Sequence, residues 1–565
     1  MRLRAVFQKE SLSEDAVAGL VLGVESVPDG LAAALLAGVN PVAGLYAYMY
    51  GTFFGALVTS TSFMAVQATG AMAIIVADVD ALHSGPDQGR ALFTLSILTG
   101  LVMVAAGLLR LGSVLRFVSS SVMAGFIAAV GVSIVLGQLG NFTGFEASGS
   151  NRISKTLDLL VHVTSVDVPT VAVGTATIGM ILVLERTRLG ALGMVVAIVI
   201  GSALAAGFTA LDRDVALIRD LATVPRALPA FTLPLLREIP ALLVPAISLA
   251  FVGLVQGAAV SAGFPNPDGT RADASRDFIG QGAANVAAGL FRGMPVGGSM
   301  SASSLVVAAG AKTRRALLIA GVVMAAIVLV LAGAVGYIAM PALAGLLIVV
   351  GMRTVKPTEM VSVAKTGTVQ ATVVVVTAVL TMLIPLQYAV LVGVGISLIL
   401  YVVRQSNQLT TRRLVVDESG RVREVDPPAE VGPSEVVVLQ PYGSLFFAAA
   451  PVFEQQLPTI TEGSRSSVVI LRLRGRSDVG ATFIDVLARY ATSLSAVGSK
   501  LVLVSDSDRV HDQLLATGVA ETIGGDNIYR SDEWLGRTVE RAYRDAVAWV
   551  TQRTPGPPDQ PEASP

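Results

Sequence analysis

Long apolar stretches without charged residues run through the first four hundred residues of the chain. Charge is absent from five of them, namely 91–109, 117–140, 189–211, 316–352 and 366–403. An α-helix rises about 1.5 Å per residue, so about 20 apolar residues cross the roughly 30 Å hydrocarbon layer of a bilayer. Soluble helices of this length show a polar face, which these stretches lack. The pattern predicts an α-helical polytopic membrane protein.

The apolar runs divide into membrane segments separated by polar connections. Lys and Arg concentrate in alternate short connections, for example at Arg110 and Arg116 and again at Arg186 and Arg188. Cytoplasmic loops are enriched in these residues, so both termini are expected to be cytoplasmic and the protein to be multi-pass in the cell membrane. Fourteen segments are predicted: 16–38, 41–59, 65–80, 91–109, 114–139, 169–184, 189–209, 239–260, 275–291, 299–310, 315–335, 340–353, 367–384 and 386–403.

Two of these segments are short and interrupted by glycine or proline. In SFMAVQATGAMAIIVADV the helix-forming run starts only after Gly70, and RGMPVGGSMSASSLVVAAG is broken at Pro295, Gly297 and Gly298. They are the third and the tenth segments, so each is third in its half of seven. Matched interruptions of this kind indicate an inverted-repeat transporter with its site at the broken helices. Glycine used only for close helix packing would explain one such segment, but a matched pair poorly.

The composition changes after residue 403. A polar stretch, 404–433, is expected to be a linker, and the runs EVVVLQPY, SVVILRLRG and SKLVLVSDS then alternate with amphipathic helical stretches. Strands that alternate with helices predict a small soluble α/β domain over 434–550. The predicted order is a cytoplasmic amino-terminal stretch (1–15), a transmembrane domain (16–403), the linker, the α/β domain and a Pro-rich tail (551–565) that is expected to be disordered.

Composition narrows the classes of function. Of the 565 residues, 53% are hydrophobic and only 14% are charged, whereas soluble proteins carry about 25% charged residues. The net charge is −1 and no basic patch stands out, so no nucleic-acid partner is expected. The chain has no cysteine and only three scattered histidines (His83, His162 and His511), which excludes thiol chemistry and predicts no metal site and no cofactor. No nucleophile–base pair is visible either, so the sequence does not suggest an enzyme.

Two long motifs point to a family. AGLVLGVESVPDGLAAALLAGVNPVAGLYA covers the first segment, and FIGQGAANVAAGLFRGMPVGGSMSASSLVVAAGAKT covers the tenth. Both resemble signature motifs of the SulP family of anion transporters (solute carrier family 26), and the resemblance extends over nearly the whole chain. It implies seven-plus-seven inverted repeats in which the third and tenth segments are half-helices, followed by a cytoplasmic α/β STAS domain. It also implies a homodimer in the lipid bilayer, with the STAS domain available to a cytoplasmic partner.

The resemblance further implies a substrate site between the amino-terminal ends of the two half-helices. A helix amino terminus offers unpaired N–H groups and about half a positive charge, which suits an anion. Glycine allows close backbone approach, and Ser or Thr adds a hydroxyl donor; the alternative is that these hydroxyls bond only to their own helix. The lining residues would be Ala68, Thr69, Gly70, Ser299, Met300, Ser301 and Gln256.

Three positions depart from the family pattern. Asp29 stands where the family usually has Gln after the first-helix proline, Gln256 replaces an acidic residue of the eighth helix, and Ala302 replaces an Arg found in many members. Loss of the Arg leaves only helix ends as fixed positive charge. This disfavours tight binding of a divalent anion unless a proton enters with it.

Two carboxylates lie within the first apolar span. Glu25 and Asp29 share a helix face at positions i and i+4, with Pro28 between them, although a charge there costs about 2.5–3.5 kcal/mol on insertion scales. Protonation would remove their repulsion of an anion, so the pair is predicted to couple transport to protons. Open alternatives are that Asp29 caps a half-broken helix or pairs with a basic residue, and that Glu25 only faces the cytosolic vestibule. Sodium coupling competes, but Gln256 lacks the charge that a sodium site favours.

These observations together predict a secondary active transporter of small anions. The substrate would be sulfate-, bicarbonate- or dicarboxylate-like, and transport would be proton-coupled and work by alternating access. One alternative is a nucleobase permease of the same transmembrane architecture, which would lack a STAS domain. The other is a membrane-anchored sensor or scaffold in which only the STAS domain functions. The intact pair of half-helices argues against that loss of transport.

Overall fold

The computed structural model describes residues 12–553 except 84–86, 113–119, 150, 188, 191, 417–420, 446, 476–477, 531–535 and part of the stretch 385–408. The chain divides between Ser397 and Leu398 into two compact units.

Helices make up nearly all of the first unit. A two-stranded ladder of β1 (Val66–Gln67) and β2 (Gly297–Gly298) is its sheet among the described residues. Its helices are α1 Leu12–Leu36, α2 Pro41–Val58, α3 Gly70–Ala77, α4 Gln88–Leu108, α5 Ser120–Thr143, α6 Arg152–Val161, α7 Val168–Leu184, α8 Leu192–Thr209, α9 Ile218–Leu221, α10 Ile239–Gly263, α11 Ala274–Leu290, α12 Met300–Ala308, α13 Arg315–Val335, α14 Met340–Thr354, α15 Pro357–Ala364 and α16 Thr368–Leu383.

Local sequence signals set many of the helix ends. Asn40 caps α2 by accepting a hydrogen bond from the Val42 amide, and Asp273 caps α11 in the same way; short polar side chains at this position satisfy amides that the helix cannot. Pro28 within α1 and Pro245 within α10 each remove one internal backbone bond.

Among the described residues, length and apolar composition make seven stretches of helix able to cross a membrane. Two shorter apolar helices, α7 and α16, accompany them. The seven stretches are Leu12–Leu36, Gln88–Leu108, Ser120–Thr143, Leu192–Thr209, Leu236–Gly263, Arg315–Val335 and Met340–Ala364.

The helices of the first unit pack as two groups. One group contains α1 to α4 together with α10 to α13, and the other contains α5, α7, α8 and α14 to α16. Contacts of α3 with α5 and of α1 with α8 and α14 join the groups. The first group thus combines the first four predicted segments of each half of the chain. This grouping is what two related halves would require, and the inverted symmetry itself stays a prediction.

Helices occur at the first thirteen predicted segments, with shifted ends. The first begins at Leu12 rather than residue 16, and the helical part of the third is only α3. The fourteenth, 386–403, lies largely outside the described residues. Three short helices in the connections, α6, α9 and α15, were not predicted, because connecting helices carry no long apolar run to reveal them.

The second unit is an α/β sandwich. Its six-stranded sheet has the order β4-β3-β5-β6-β7-β8, with β5 to β8 parallel and β3 antiparallel to both of its neighbours. The strands are β3 Thr410–Val416, β4 Val422–Val425, β5 Val436–Tyr442, β6 Val468–Leu473, β7 Lys500–Ser505 and β8 Ile528–Arg530. The helices are α17 Ala450–Gln456, α18 Ala481–Ala496, α19 Asp508–Ala516, α20 Val519–Ile523 and α21 Arg537–Arg553.

The prediction of a linker over 404–433 is wrong for much of that stretch, because β3 and β4 belong to the sheet. The sequence looked polar there because Arg412 and Arg413 are adjacent in β3 and further charged residues follow them in the hairpin. Those arginines are paired, Arg412 with Asp426 and Arg413 with Glu435 at 2.8 Å. The α/β unit therefore begins well before residue 434. The predicted tail, 551–565, starts inside α21 and otherwise lies outside the described residues.

Candidate functional site

The two short helices α3 and α12 start from the same place. Strands β1 and β2 pair antiparallel, with Val66 opposite Gly298 and Gln67 opposite Gly297. Each helix begins within three residues of its strand. Because the strands are antiparallel, the helices run away from the ladder in opposite directions, and their amino-terminal ends flank it.

Hydroxyl side chains cap both helices. Thr69 Oγ1 accepts a hydrogen bond from the Met72 amide at 3.4 Å, and Ser299 Oγ accepts one from the Ala302 amide at 3.3 Å. Ser299 Oγ also lies 3.2 Å from Ser301 Oγ. The alternative in which hydroxyls bond to their own helix therefore applies to Thr69 and Ser299.

Capping leaves the first amides of each helix without an intrahelical partner. In α3 these are the N–H groups of Gly70 and Ala71, and in α12 those of Met300 and Ser301, because the first turn of any helix has no preceding carbonyls to bond. Met300 is 44% exposed and Ser301 is also exposed, whereas Ala68 on the other strand is buried. The α12 end of the site is the accessible one.

Gln256 reaches the site from α10. Its Oε1 accepts a hydrogen bond of 2.8 Å from Thr69 Oγ1. The side-chain oxygen that could otherwise face a cation is thus bonded to the cap of α3. All seven predicted lining residues belong to the two helix starts or, as with Gln256, contact one of them.

Buried amide side chains hold the ladder in place. Asn285 on α11 makes two hydrogen bonds to the backbone of Val296. Its Nδ2 donates to the carbonyl at 2.6 Å, and its Oδ1 accepts from the amide at 2.8 Å. One turn earlier, Gln281 Oε1 accepts from the Gly298 amide at 2.9 Å. On the other strand Gln67 Nε2 donates to Ser26 and Thr52 on α1 and α2 at 2.9 and 3.1 Å. These bonds fix where the two helices begin.

Close packing of α10 on β2 explains the Gly-Gly pair in the tenth segment. A methyl group on Gly298 would lie 2.5 Å from the Cα of Gly257, and one on Gly297 would lie 2.9 Å from the Cα of Gly253. The contacted atoms of Gly253 and Gly257 belong to the backbone of α10, which cannot move aside as a flexible side chain could. Glycine is needed at these positions.

The two carboxylates of α1 lie beside the start of α3. Asp29 Oδ2 accepts from Tyr48 Oη at 2.8 Å, and Tyr48 Oη also lies 2.7 Å from the carbonyl oxygen of Ala68. Glu25 Oε2 is buried without a hydrogen-bond partner in the described part of the chain. Asp29 lies within α1, so it caps no helix, and none of the described ion pairs contains either acid.

A cavity of about 960 Å³ lies at the carboxyl-terminal end of α3, away from its capped start. The ends of α1 and α3, the carboxyl-terminal half of α5, most of α6 and the start of α14 line it. Across it Arg152 of α6 pairs with Asp78, the residue that follows α3, at 2.7 Å. Because α6 packs against α5, this ion pair connects the end of α3 to the helix group that contains α5.

Residues 12–377 match the family model described as Sulfate permease family. The chain belongs to the sulfate permease family. A STAS domain model matches residues 428–542, within the α/β unit. The predicted family, its helical polytopic membrane fold and its carboxy-terminal STAS domain are confirmed.

Relatives in the sulfate permease family cover the chain almost from end to end. "Probable sulfate transporter MT1781" of Mycobacterium tuberculosis (strain CDC 1551 / Oshkosh) is 26% identical over 535 residues, 93% of this chain and 94% of the relative. "Bicarbonate transporter BicA" of Synechocystis sp. is 25% identical over 539 residues, 92% and 93% of the two chains. The murine Solute Carrier 26 family member A9 anion transporter, solved in the inward-facing state, matches with a TM-score of 0.82 at 19% identity over 97% of this chain and 93% of that chain.

Some contacts at this candidate site were missed in the sequence. Tyr48, Gln67 and Gln281 were not singled out, and Asn285 was noted only as part of a motif. A signal was present for two of them, because Gln281 and Asn285 are polar residues spaced i, i+4 in the part of α11 that is otherwise apolar, from Phe278 to Leu290. No comparable signal marks Tyr48, whose partners come from α1 and β1. In the described residues no group of His, Asp or Glu is placed to hold a metal ion.

Proposed function

We propose that this protein is a secondary active transporter that binds a small anion between the amino-terminal ends of α3 and α12. One observation carries the proposal: two helix starts with unused amides flank one buried ladder inside a membrane bundle. Such ends attract negative charge through their free N–H groups and helix dipoles. In a low-dielectric interior this attraction is stronger than it would be in water.

The charge of the site restricts the substrate. Neither short helix nor the ladder carries Lys or Arg, and Ala302 stands where an arginine would add a positive charge. Helix ends alone suit a monovalent oxyanion such as bicarbonate, or a divalent one such as sulfate or a dicarboxylate that enters together with a proton. The names of the curated relatives, which include sulfate and bicarbonate transporters, agree with this range.

We infer that the proton is the coupling ion and that Asp29 and Glu25 carry it. Both acids lie on the helix that packs against α3, and no described ion pair neutralises them. An ionised carboxylate in this place repels an anion, and a proton removes the repulsion. Sodium coupling is disfavoured because Gln256, at the position of the family's acid, is neutral and already bonded to Thr69.

Alternating access would move one helix group against the other. At the start of α3 the groups are in contact, since a methyl group on Gly70 would lie 2.5 Å from Ile134 Cδ1 of α5. At the start of α12, Met300 and Ser301 are exposed. This asymmetry supports a conformation in which access to the site is closed on the α3 side and open on the α12 side. With both termini cytoplasmic in a cell membrane, the open side faces the cytoplasm.

Family membership favours this proposal over the nucleobase-permease alternative. A homodimer in which the STAS domain binds a cytoplasmic regulator is proposed from the same resemblance. The sensor or scaffold alternative requires that transport be absent, so transport itself is the decisive measurement.

Reconstitution into proteoliposomes tests the proposal. Labelled bicarbonate, sulfate and a dicarboxylate are offered with an inward proton gradient, an inward sodium gradient or no gradient, and empty liposomes serve as the control. We expect accumulation of at least one anion with the proton gradient. Absence of uptake for every anion by folded protein would favour the sensor alternative, and accumulation driven only by sodium would reject proton coupling.

A further inference from the structure

Tyr48 is placed between an acid and the start of a half-helix. Its side chain is 2% exposed, and its Oη lies 2.8 Å from Asp29 Oδ2 and 2.7 Å from the Ala68 carbonyl oxygen. A phenol hydroxyl has one hydrogen to donate. Two oxygens therefore compete for it, unless one of them brings a hydrogen of its own.

The protonation state of Asp29 settles this competition. An ionised carboxylate is an acceptor only, so Tyr48 can satisfy either Asp29 or Ala68, and the other short oxygen–oxygen contact has no hydrogen. A protonated Asp29 donates to Tyr48 Oη, and Tyr48 then donates to the Ala68 carbonyl. Every contact in that chain contains a hydrogen, so the observed distances fit the protonated form.

Ala68 connects this chain to the substrate site. It lies between Gln67 of the ladder and Thr69, the cap of α3. We propose that Tyr48 is a positioning residue that transmits the protonation of Asp29 to the amino-terminal end of α3, holding the Ala68 carbonyl only when Asp29 is protonated. The inference rests on the proposed proton coupling and adds the route by which the proton acts on the anion site.

Few other titratable groups face Asp29. Glu25 lies one turn earlier on α1, and α2 adds Tyr46 and Tyr50 beside Tyr48. Of the other helices packed against α1, the described α3, α5, α8 and α12 contain no titratable side chain.

The two remaining neighbours of α1, α13 and α14, carry one arginine each. Arg353, near the end of α14, is paired with Glu185. Arg315 begins α13, where that helix packs against Gly19 of α1. Gly19 precedes Asp29 by ten residues, which is about 15 Å along a helix. Glu25 and Tyr48 are thus the groups that respond to a proton on Asp29.

Anion binding to the full-length protein in proteoliposomes tests this inference, at about pH 5.5 and about pH 7.5. In the wild type we expect tighter binding at the lower pH. Tyr48→Phe should bind roughly three- to tenfold more weakly than the wild type at the lower pH, the effect of one hydrogen bond, and its binding should depend less on pH than that of the wild type, because only the direct repulsion by ionised Asp29 remains. Asp29→Asn should bind tightly at both, because its amide can donate to Tyr48 and keep the chain intact.

The double variant Asp29→Asn/Tyr48→Phe distinguishes a chain from two separate effects. At the lower pH we expect it to bind as weakly as Tyr48→Phe, since Tyr48 is the last link. The matched control is Tyr50→Phe, on the same helix; its ring stacks on Phe291 at 4.5 Å, and we expect wild-type binding. Wild-type pH dependence in Tyr48→Phe, or tight binding by the double variant, would overturn the inference while leaving proton coupling by Asp29 intact.

A second measurement needs no substitution of Tyr48. Infrared difference spectra between the two pH values should show a shift of a tyrosine ring C–O band in the wild type, and this shift should vanish in Asp29→Asn. A tyrosine band that does not respond in the wild type would contradict the inference. Unchanged proton-driven accumulation in Asp29→Asn would instead contradict the proposed function, so the two failures are distinguishable.

Discussion

At the residue scale, four acids of α1 and α11 fall into two kinds. Asp15 accepts from the Lys312 and Thr313 amides at 2.7 and 2.9 Å, and Asp277 is bonded in the same way to the Ser60–Thr61 turn. These carboxylates have a full set of donors and hold loops in place. Asp29 has one hydroxyl neighbour, which it shares with Ala68, and Glu25 has a buried oxygen without a partner in the described chain. Acids left in this state are suited to gaining and losing a proton.

Asp29→Asn is expected to abolish proton-driven accumulation while leaving anion exchange. Asparagine has a similar volume and no charge, so it mimics the protonated acid permanently. Glu25→Gln should give a milder loss if Glu25 only tunes its neighbour, and the same loss if the two acids share one proton. Uptake is measured with and without a proton gradient and with and without sodium, which should have little effect.

The control for these two variants is Glu238→Gln, which removes a carboxylate that pairs with Arg237 before α10. Accumulation by this control should equal that of the wild type. If both Asp29→Asn and Glu25→Gln accumulate the anion normally under a proton gradient, the two acids are structural.

At the element scale, the position of α12 makes Ser301 a sensitive place for substitution. Ser301→Leu fills the accessible end of the site and removes a hydroxyl, so uptake should fall severely while the protein still inserts and purifies. Ser304→Leu is the matched control, because Ser304 is exposed on the same helix one turn further from the capped end. Uptake and gel filtration are compared for the two variants. Normal uptake by Ser301→Leu would exclude the α12 end as the anion site.

The ion pair between α3 and α6 is expected to keep the far side of the bundle closed. Asp78→Asn removes the partner of Arg152, whose side chain is 26% exposed. Partly exposed pairs contribute up to about 1 kcal/mol, so opening on that side should rise roughly two- to fivefold.

Cysteine labelling can measure this opening, because the native chain has no cysteine. Ala147→Cys places one thiol in the lining of the cavity. Its rate of reaction with a membrane-impermeant maleimide is compared with and without Asp78→Asn. The double exchange Asp78→Arg/Arg152→Asp should restore slow labelling. An equal rate in all three backgrounds would show that the pair does not hold the cavity closed.

At the scale of the whole molecule, the chain consists of two units. The residue at which a deletion of the second unit begins should determine how well the remaining protein expresses. Deletion of 409–565 removes the entire α/β unit and should leave reduced but measurable uptake, since the transport helices lie before it. Deletion of 434–565 keeps β3 and β4 without β5, the strand to which β3 pairs, and uncovers Leu409 and Leu414, which are buried in the intact unit. An unpaired apolar hairpin is prone to aggregation, so the shorter deletion should express worse.

Yield, gel filtration and uptake of the two truncated proteins provide the comparison. A folded 409–565 deletion without any transport would show that the STAS domain is part of the transport mechanism. Equal yields of the two proteins would contradict the assignment of β3 and β4 to the α/β unit.

The sequence by itself determined the features that depend on neighbouring residues. Uncharged apolar runs longer than a bilayer crossing indicated helices, and breaks at Gly70, Pro295 and Gly297 located the two half-helices. Strand-like runs after residue 434 indicated the α/β unit. Helix length, chain breaks and strand alternation are local properties, and a single sequence records them directly. The starts of the two half-helices could therefore be expected from their own residues.

Only the tertiary structure decided which side chains meet. Tyr48 of α2 contacts Asp29 of α1 and the backbone of Ala68 just before α3. Asn285 and Gln281 of α11 bond to the backbone of β2 and of the residue before it. Strands β3 and β4 were read as a linker, because an arginine-rich hairpin looks polar until its sheet and its acidic partners are in place. Such contacts depend on how helices and strands pack and rotate against each other, and no short stretch of sequence contains that information.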